Sequence, residues 1–218
     1  MKGILCKSYG TPENLVLEDI EDLKPRENEV LVEVYAASLN FPDTLQIAGK
    51  YQYQPPFPFI PGSEAGGIIK EIGPNVRGFD IGDRVMANPG IGAMAELLCV
   101  PFERLRKIPD NMSFNTASGF PMVYTTSYYA LKQRAELKPA ETLLVLGSSG
   151  GVGVTAVELG KLMGAEVIAA ASSEEKLDFA KNIGADYLVN YSDGDLKTKI
   201  KELTNGKGAD VIFDPVGG

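Results

Sequence analysis

Leu143 to Gly153 reads LLVLGSSGGVG. A short apolar run enters a glycine-rich turn, and a stretch with helical spacing follows at once. Such a strand–turn–helix unit can hold a dinucleotide. Gly150 lets the backbone come close to a pyrophosphate, and Gly153 lets the new helix pack against the strand. The free N–H groups of the helix start then face the phosphates. The strict G-x-G-x-x-G spacing is not met, because Ser148 stands where the first glycine belongs. Ser148, Gly150, Gly151, Val152 and Gly153 are the cofactor-binding candidates here. A tight turn with packing glycines and no ligand is the other reading.

About 20 residues on, a dinucleotide fold that takes NAD places an Asp or Glu on the ribose 2′-hydroxyl. Here the second strand ends Ala169-Ala170-Ala171, then Ser172-Ser173, with Lys176 a turn later. Small hydroxyls beside a cation suit a 2′-phosphate, so the sequence predicts NADP(H) over NAD(H). Glu174 and Glu175 pull against this. Ser172 or Ser173 can also simply cap the next helix.

The 218 residues contain no His. That excludes Ser-His and Cys-His nucleophile pairs and His-based metal sites, and it leaves acid–base work to Asp, Glu, Lys or Tyr. The two cysteines, Cys6 and Cys99, form no CxxC pair and read as two small buried or half-buried residues.

Elements of two textures must position these groups. In the first third, short strands alternate with Gly and Pro turns. Leu15–Ile20, Val30–Ala36, Gly62–Ile72 and Ala93–Val100 are strand candidates, Ile81–Ala87 reads as a turn then a strand, and together they suggest a β-rich, partly open barrel. Ser113–Leu137 reads as two helices broken near Gly119-Phe120-Pro121, the second ended by Pro139. Tyr128 and Tyr129 read there as helix-packing residues rather than ligand contacts. From Thr142 the chain alternates strand and helix. Strands are expected at Leu143–Leu146, Val167–Ala171, Tyr187–Tyr191 and Val211–Asp214, with helices at Gly150–Met163, Glu174–Ile183 and Leu196–Thr204. That order means βαβ units and a parallel sheet.

Hydrophobic residues make up 44% and charged residues 23%, an ordinary globular balance. A formal charge of −8 argues against non-specific nucleic-acid binding. No window approaches the ~18 apolar residues of a membrane helix, and no signal peptide opens the chain. A cytoplasmic protein without membrane or nucleic-acid partners is expected.

Several stretches in order resemble the medium-chain dehydrogenase/reductase family, in its zinc-free quinone oxidoreductase branch. They are MKGILCKSYGTPENL, EVLVEVYAASLNFPDTLQIAGKY, PFIPGSEAGGIIKEIGPNVRGFDIGDRV, the glycine-turn segment through KNIGAD, and ADVIFDPVGG. The resemblance implies an α/β chain with a GroES-like catalytic domain over 1–123 and a Rossmann-like NADP-binding domain over 124–218, the cofactor held between them. It implies hydride transfer from NADPH to a quinone or activated enone. An enoyl-thioester (acyl-CoA type) reductase and a non-catalytic NADP-binding protein are the alternatives. Zinc-dependent relatives carry a Cys and a His where this sequence has Asn40 and Ser63, so no metal is expected. Asn40 and Asp43 would be catalytic, with Asn40 offering an amide donor to a carbonyl oxygen or to the nicotinamide end. Asp43 could instead cap the following helix. Some relatives have a Tyr where Leu45 stands, which leaves Tyr51 or Tyr53 as substitutes for a phenolic proton donor. Thr126 matches a residue near the nicotinamide, and Tyr191 one beside the adenosine phosphate.

A doubly wound domain has about six strands. The sequence supplies four, so the nucleotide-binding domain is expected to be truncated after its fourth strand and the chain to be a fragment. Homodimerisation, which relatives achieve through their last strand, is carried over only to a full-length form.

Overall fold

The computed structural model describes residues 1–217; Gly218, the last residue of the expected nucleotide-binding domain, lies outside them. The chain divides into two compact units, Met1–Met122 and Val123–Gly218.

The first unit is built on antiparallel strands. β1 (Lys2–Leu5) pairs with β2 (Val16–Asp19). β3 (Glu29–Ala37), β4 (Ala65–Ile72), β5 (Arg84–Ala87), β6 (Leu97–Pro101) and β7 (Leu105–Lys107) form a five-stranded sheet in the order β6-β3-β4-β5-β7. Its inward residues, Val30, Val32, Ile69, Val85, Val100 and Leu105, are fully buried and make one core. The β-branched side chains suit a pleated, packed surface.

Two of the expected strands start several residues late. The ladder of β4 starts at Ala65, not Gly62, because Gly62 sits at φ 96° and Glu64 turns into the interior. Ala93 to Glu96 lie outside β6. Ala93 and Met94 donate to the carbonyls of Gly62 and Pro61, and Ala95 bridges Gly3. Gly90 and Gly92, both at positive φ, turn the chain away from the sheet there. The unit adds α1 (Phe41–Ile47) and α2 (Phe114–Ser118), the latter capped by Ser113 Oγ, which accepts the Thr116 N–H at 3.0 Å.

In the second unit, β8 (Thr142–Leu146), β9 (Glu166–Ala171), β10 (Tyr187–Asn190) and β11 (Val211–Phe213) form one parallel sheet in the order β10-β9-β8-β11. Numbered within the unit that is 3-2-1-4, the first part of a doubly wound sheet. α4 (Gly151–Leu162), α5 (Glu174–Ile183) and α6 (Leu196–Leu203) are the crossovers. The two central strands, β8 and β9, are buried on both faces: Leu143, Val145, Val167 and Ala169 pack on one core, Leu144, Ile168 and Ala170 on another that Val189 of β10 joins.

α3 (Pro121–Tyr128) leads into this unit and continues as a π-helix over Tyr129–Arg134. Pro139 does not end that helix. The chain leaves it at Ala135, Glu136 takes φ 51°, and the Leu137 N–H returns to the Leu131 carbonyl at 2.9 Å. The reversal buries Leu137 at 4% exposure in the core under β8. Tyr128 and Tyr129 are both exposed, so the expected helix-packing role is wrong. The helix turns its small Ser127 inward instead.

Candidate functional sites

The first site grows from the junction of β3 and α1. Asn40 caps α1, its backbone N–H donating to Asp43 Oδ2 at 2.7 Å, while the Asp43 N–H returns to the Asn40 carbonyl at 3.0 Å. This reciprocal arrangement satisfies two donors at the helix start. Asp43 therefore does cap its helix. It also lines a cavity of about 500 Å³ together with Gln46, Tyr51, Tyr53, Ser63 and Arg104.

Behind this wall lies Glu64, which sequence reasoning missed. It is 0% exposed. Its Oε1 accepts from Ser38 Oγ at 2.7 Å and from Asn40 Nδ2 at 2.8 Å, and its Oε2 accepts the Met122 N–H at 2.7 Å. Asn40 Nδ2 also faces Ser38 Oγ at 3.0 Å and Ser63 Oγ at 3.5 Å. An amide nitrogen carries two hydrogens. Both point into this buried cluster, so Asn40 does not offer the amide donor expected of it. It ties the start of α1 to Glu64.

Burial pushes the Asp43 carboxyl above the usual aspartate range. The Glu64 charge adds to the rise, and the Asn40 N–H and the Ser63 hydroxyl oppose it. A group with a raised folded pKa takes up a proton on folding, so its contribution to stability falls as pH rises through the window between the unfolded and folded values. Asp43→Asn is expected to flatten that part of the stability–pH curve in denaturant titrations. An unchanged slope in the variant would remove Asp43 as its source.

The second site is at the C-terminal end of the parallel sheet. β8 runs into the glycine turn, Gly147 takes φ 57°, and Gly150 caps α4 with φ −77°. The first in-helix bond is Val154 N–H to Gly150 O at 2.8 Å, so the amides of Gly151, Val152 and Gly153 belong to the unsatisfied first turn. Ser148 is fully buried, and both its N–H and its hydroxyl reach the Ala170 carbonyl at 3.2 Å. Its hydroxyl thus ties the turn to β9.

That bond sets the end of β9 beside the turn. Lys176 Nζ donates to Ser172 Oγ at 3.0 Å, and Ser173 Oγ caps α5 by accepting the Lys176 N–H at 3.4 Å. Ser192 Oγ donates to the Ser172 carbonyl at 3.0 Å, so the turn after β10 joins the same group. Tyr191 is half-buried against the core of Leu144, Ile168 and Ala170. Lys176 and Ser149 line one open groove with Phe179 and Asn182.

Thr126 is exposed on α3. Its neighbour Ser127 fixes α3 to α4, with Oγ donating to the Val152 carbonyl at 2.8 Å and lying 2.7 Å from Thr155 Oγ1. The structure therefore gathers Ser148, Gly150–Gly153, Ser172, Ser173 and Lys176 at one sheet end in the second unit. It gathers Asn40 and Asp43 in the first.

Comparison with known proteins places both halves. The family model for the alcohol dehydrogenase GroES-like domain matches residues 26–110, and that for zinc-binding dehydrogenases matches 151–218. A quinone oxidoreductase-like protein 2 homolog of Nematostella vectensis is 40% identical over 100% of this chain and 60% of its own length. The Escherichia coli quinone oxidoreductase complexed with NADPH superposes with a TM-score of 0.95 at 33% identity, over 100% of this chain and 67% of that one. The CurK enoyl reductase superposes at 0.89 with 29% identity, over 100% and 68%. The chain spans about 60% of the length of the curated relatives it matches first.

The zinc named in one family description would meet neither a thiolate nor an imidazole at positions 40 and 63. Asn40 and Ser63 offer an amide nitrogen and a hydroxyl, and both oxygens of Glu64 are already hydrogen-bonded. Zinc takes thiolate, imidazole and carboxylate ligands. The donor set does not fit it, and no group of three or more metal-ligating side chains occurs among the described residues. No helix among them is long and apolar enough to cross a membrane.

Proposed function

Because the chain belongs to the medium-chain dehydrogenase/reductase superfamily, among the quinone oxidoreductases, we propose that it reduces quinones or activated enones with NADPH and without a metal. The observation that carries this reading is the shared sheet end. There the glycine turn stands beside Ser172, Ser173 and Lys176, and no carboxylate occupies the end of β9. The first-turn amides of α4 suit a pyrophosphate. The Lys176 ammonium uses one of its three donors on Ser172 and keeps two for a 2′-phosphate.

NADPH, when bound, supplies a hydride to the electron-poor carbon of the acceptor. The residues of the chain bind, orient and shield. On this reading Gly150, Gly151, Val152 and Gly153 receive the pyrophosphate, Ser172, Ser173, Lys176 and Tyr191 the adenosine end, and Thr126 the nicotinamide end. Ser148 holds the turn. Asp43 and the phenols of Tyr51 and Tyr53 stand in the wall of the acceptor cavity. Asn40 fixes Asp43 there through its backbone N–H. Two flat rings held face to face, out of water, need little further assistance.

The test is a fluorescence titration of the purified chain with NADPH, with NADH as control. Tighter binding of NADPH is the expected result, and Lys176→Ala should weaken NADPH binding about tenfold, one charge-assisted contact, while leaving NADH nearly unaffected. Equal losses for both nucleotides would sink the 2′-phosphate assignment. Turnover of a quinone against an enoyl-CoA separates this reading from an enoyl-thioester reductase. Binding without turnover of any acceptor would leave a non-catalytic NADP-binding protein.

A further inference from the structure

Arg104 stands in the wall of the cavity that holds Asp43, Tyr51 and Tyr53. It is the one cation lining that cavity among the described residues. Two bonds hold it in place. Its carbonyl accepts the Asn88 N–H at 3.1 Å, and its Nη1 donates to the Pro89 carbonyl at 2.7 Å. The same segment is anchored to the cavity wall by Gly90, whose N–H reaches the Ser63 carbonyl at 3.3 Å. Arg104 ends a short 3-10 helix, Phe102–Arg104, and one of its guanidinium nitrogens is thus held to the Pro89–Gly90 loop, which itself belongs to the site.

A guanidinium offers five N–H donors in one plane, and Pro89 takes one of them. The ion pairs among the described residues involve Met1, Lys7, Lys70, Lys107 and Lys161, and none involves Arg104. The only acid in the cavity wall, Asp43, already receives the Asn40 N–H. The remaining side chains of the wall are mostly aromatic or apolar, from Tyr51, Tyr53, Pro42, Ile91 and Met122, with Gln46 and Ser63 as its neutral polar groups. A flat acceptor fits such a wall, and a planar fork of donors at its edge matches a carboxylate in two-point contact.

We propose that Arg104 is a specificity residue, and that the preferred acceptor is an enone or quinone that carries a carboxylate. The proposal rests on the reductase reading above. The anion could also be a phosphate of a coenzyme A thioester, and the experiment separates the two.

The experiment compares NADPH oxidation with 4-oxopent-2-enoate, its neutral methyl ester and crotonyl-CoA. For the native chain the acid should exceed the ester in kcat/KM. Arg104→Met should lower that acid-to-ester ratio at least tenfold, mainly through KM for the acid, as expected for lost ground-state binding. Arg104→Lys, which keeps the charge but not the fork, should recover part of it. Arg106→Met is the control for net charge, because the Arg106 guanidinium bonds the carbonyls of Glu103 and Leu105 outside the cavity wall. It should leave the ratio unchanged. A ratio that is the same in the native chain and in Arg104→Met overturns the proposal. So does a ratio that falls equally in Arg106→Met. Arg104-dependent preference for crotonyl-CoA over the acid overturns the carboxylate in favour of the phosphate. If the native chain oxidises NADPH with no acceptor, quinones included, the reductase reading itself falls and takes this inference with it.

Discussion

Gly153→Ala is expected to destabilise the second unit by about 3 kcal/mol, the upper end of what overpacking costs where a packed site cannot relax. A Cβ at position 153 would lie 2.2 Å from the Gly147 carbonyl oxygen and 2.9 Å from Ser148 Cα. Both are backbone atoms of the turn, and neither can rotate away. The turn cannot open either, because Ser148 holds it to the Ala170 carbonyl and Gly147 already uses a left-handed conformation. Gly150 makes the contrast. Its Cβ would meet only the Gly147 oxygen, at 3.4 Å, and its φ of −77° is open to any residue. Gly150→Ala should keep the native melting temperature to within a few degrees yet weaken NADPH binding at least tenfold, because its methyl occupies the approach to the phosphates on the proposed reading. Thermal melts and nucleotide titrations of the two variants decide. Native stability in Gly153→Ala would refute the packing role, and native NADPH affinity in Gly150→Ala would refute the phosphate role.

The second unit was the more legible half. Each of its first three strands is short, apolar and followed by a helix whose stop is written in local residues, as with Gly184 at φ 119° after α5. Local signals of this kind do not depend on distant partners. In the first unit the signals were weaker wherever a distant segment competed for the backbone. Ala93 to Glu96 alternate like a strand, but their hydrogen bonds go to Pro61, Gly62 and Lys2. In the second unit the same holds ahead of its first strand, where the end of the π-helix depends on burying Leu137, whereas Pro139 looked like the natural stop. Tyr128 and Tyr129 read as helix-packing residues, yet both are exposed. Nothing in their own sequence shows that Ser127 and Thr155 make the helix contact.

The candidate sites divide the same way. Ser172, Ser173 and Lys176 lie within five residues, and their mutual bonds follow from helix geometry. The role of Asn40 was misread, since the acceptors of its amide come from positions 38, 63 and 64. Glu64 itself sits in a run that reads GSEAGG, where a carboxylate before a strand normally faces water. Its three donors come from two separate stretches, Ser38–Asn40 and Met122. Only the fold brings them together.

That convergence makes Glu64 the second position of large effect. Glu64→Ala leaves the Ser38 hydroxyl, the Asn40 amide and the Met122 N–H without their acceptor in a fully buried place, and it opens a cavity. A loss of about 3–5 kcal/mol is expected, as for other buried polar groups deprived of a charged partner. Glu64→Gln is the sharper variant. It fills the same volume, but its NH₂ must meet either the Met122 N–H or the Asn40 amide, donor against donor. About 2 kcal/mol should be lost with no cavity at all. A second readout separates charge from packing. The Glu64 charge is one of the causes that raise the Asp43 pKa, so neutralising it should bring the Asp43 titration down, toward the usual aspartate range. Following the Asp43 carboxyl carbon by NMR across the acid range would show this. A Gln variant as stable as the native chain, with Asp43 titrating unchanged, would mean that Glu64 neither supports the start of α1 nor sets the charge state of the cavity wall. A lowered Asp43 titration together with lost stability would tie both properties to the one carboxylate.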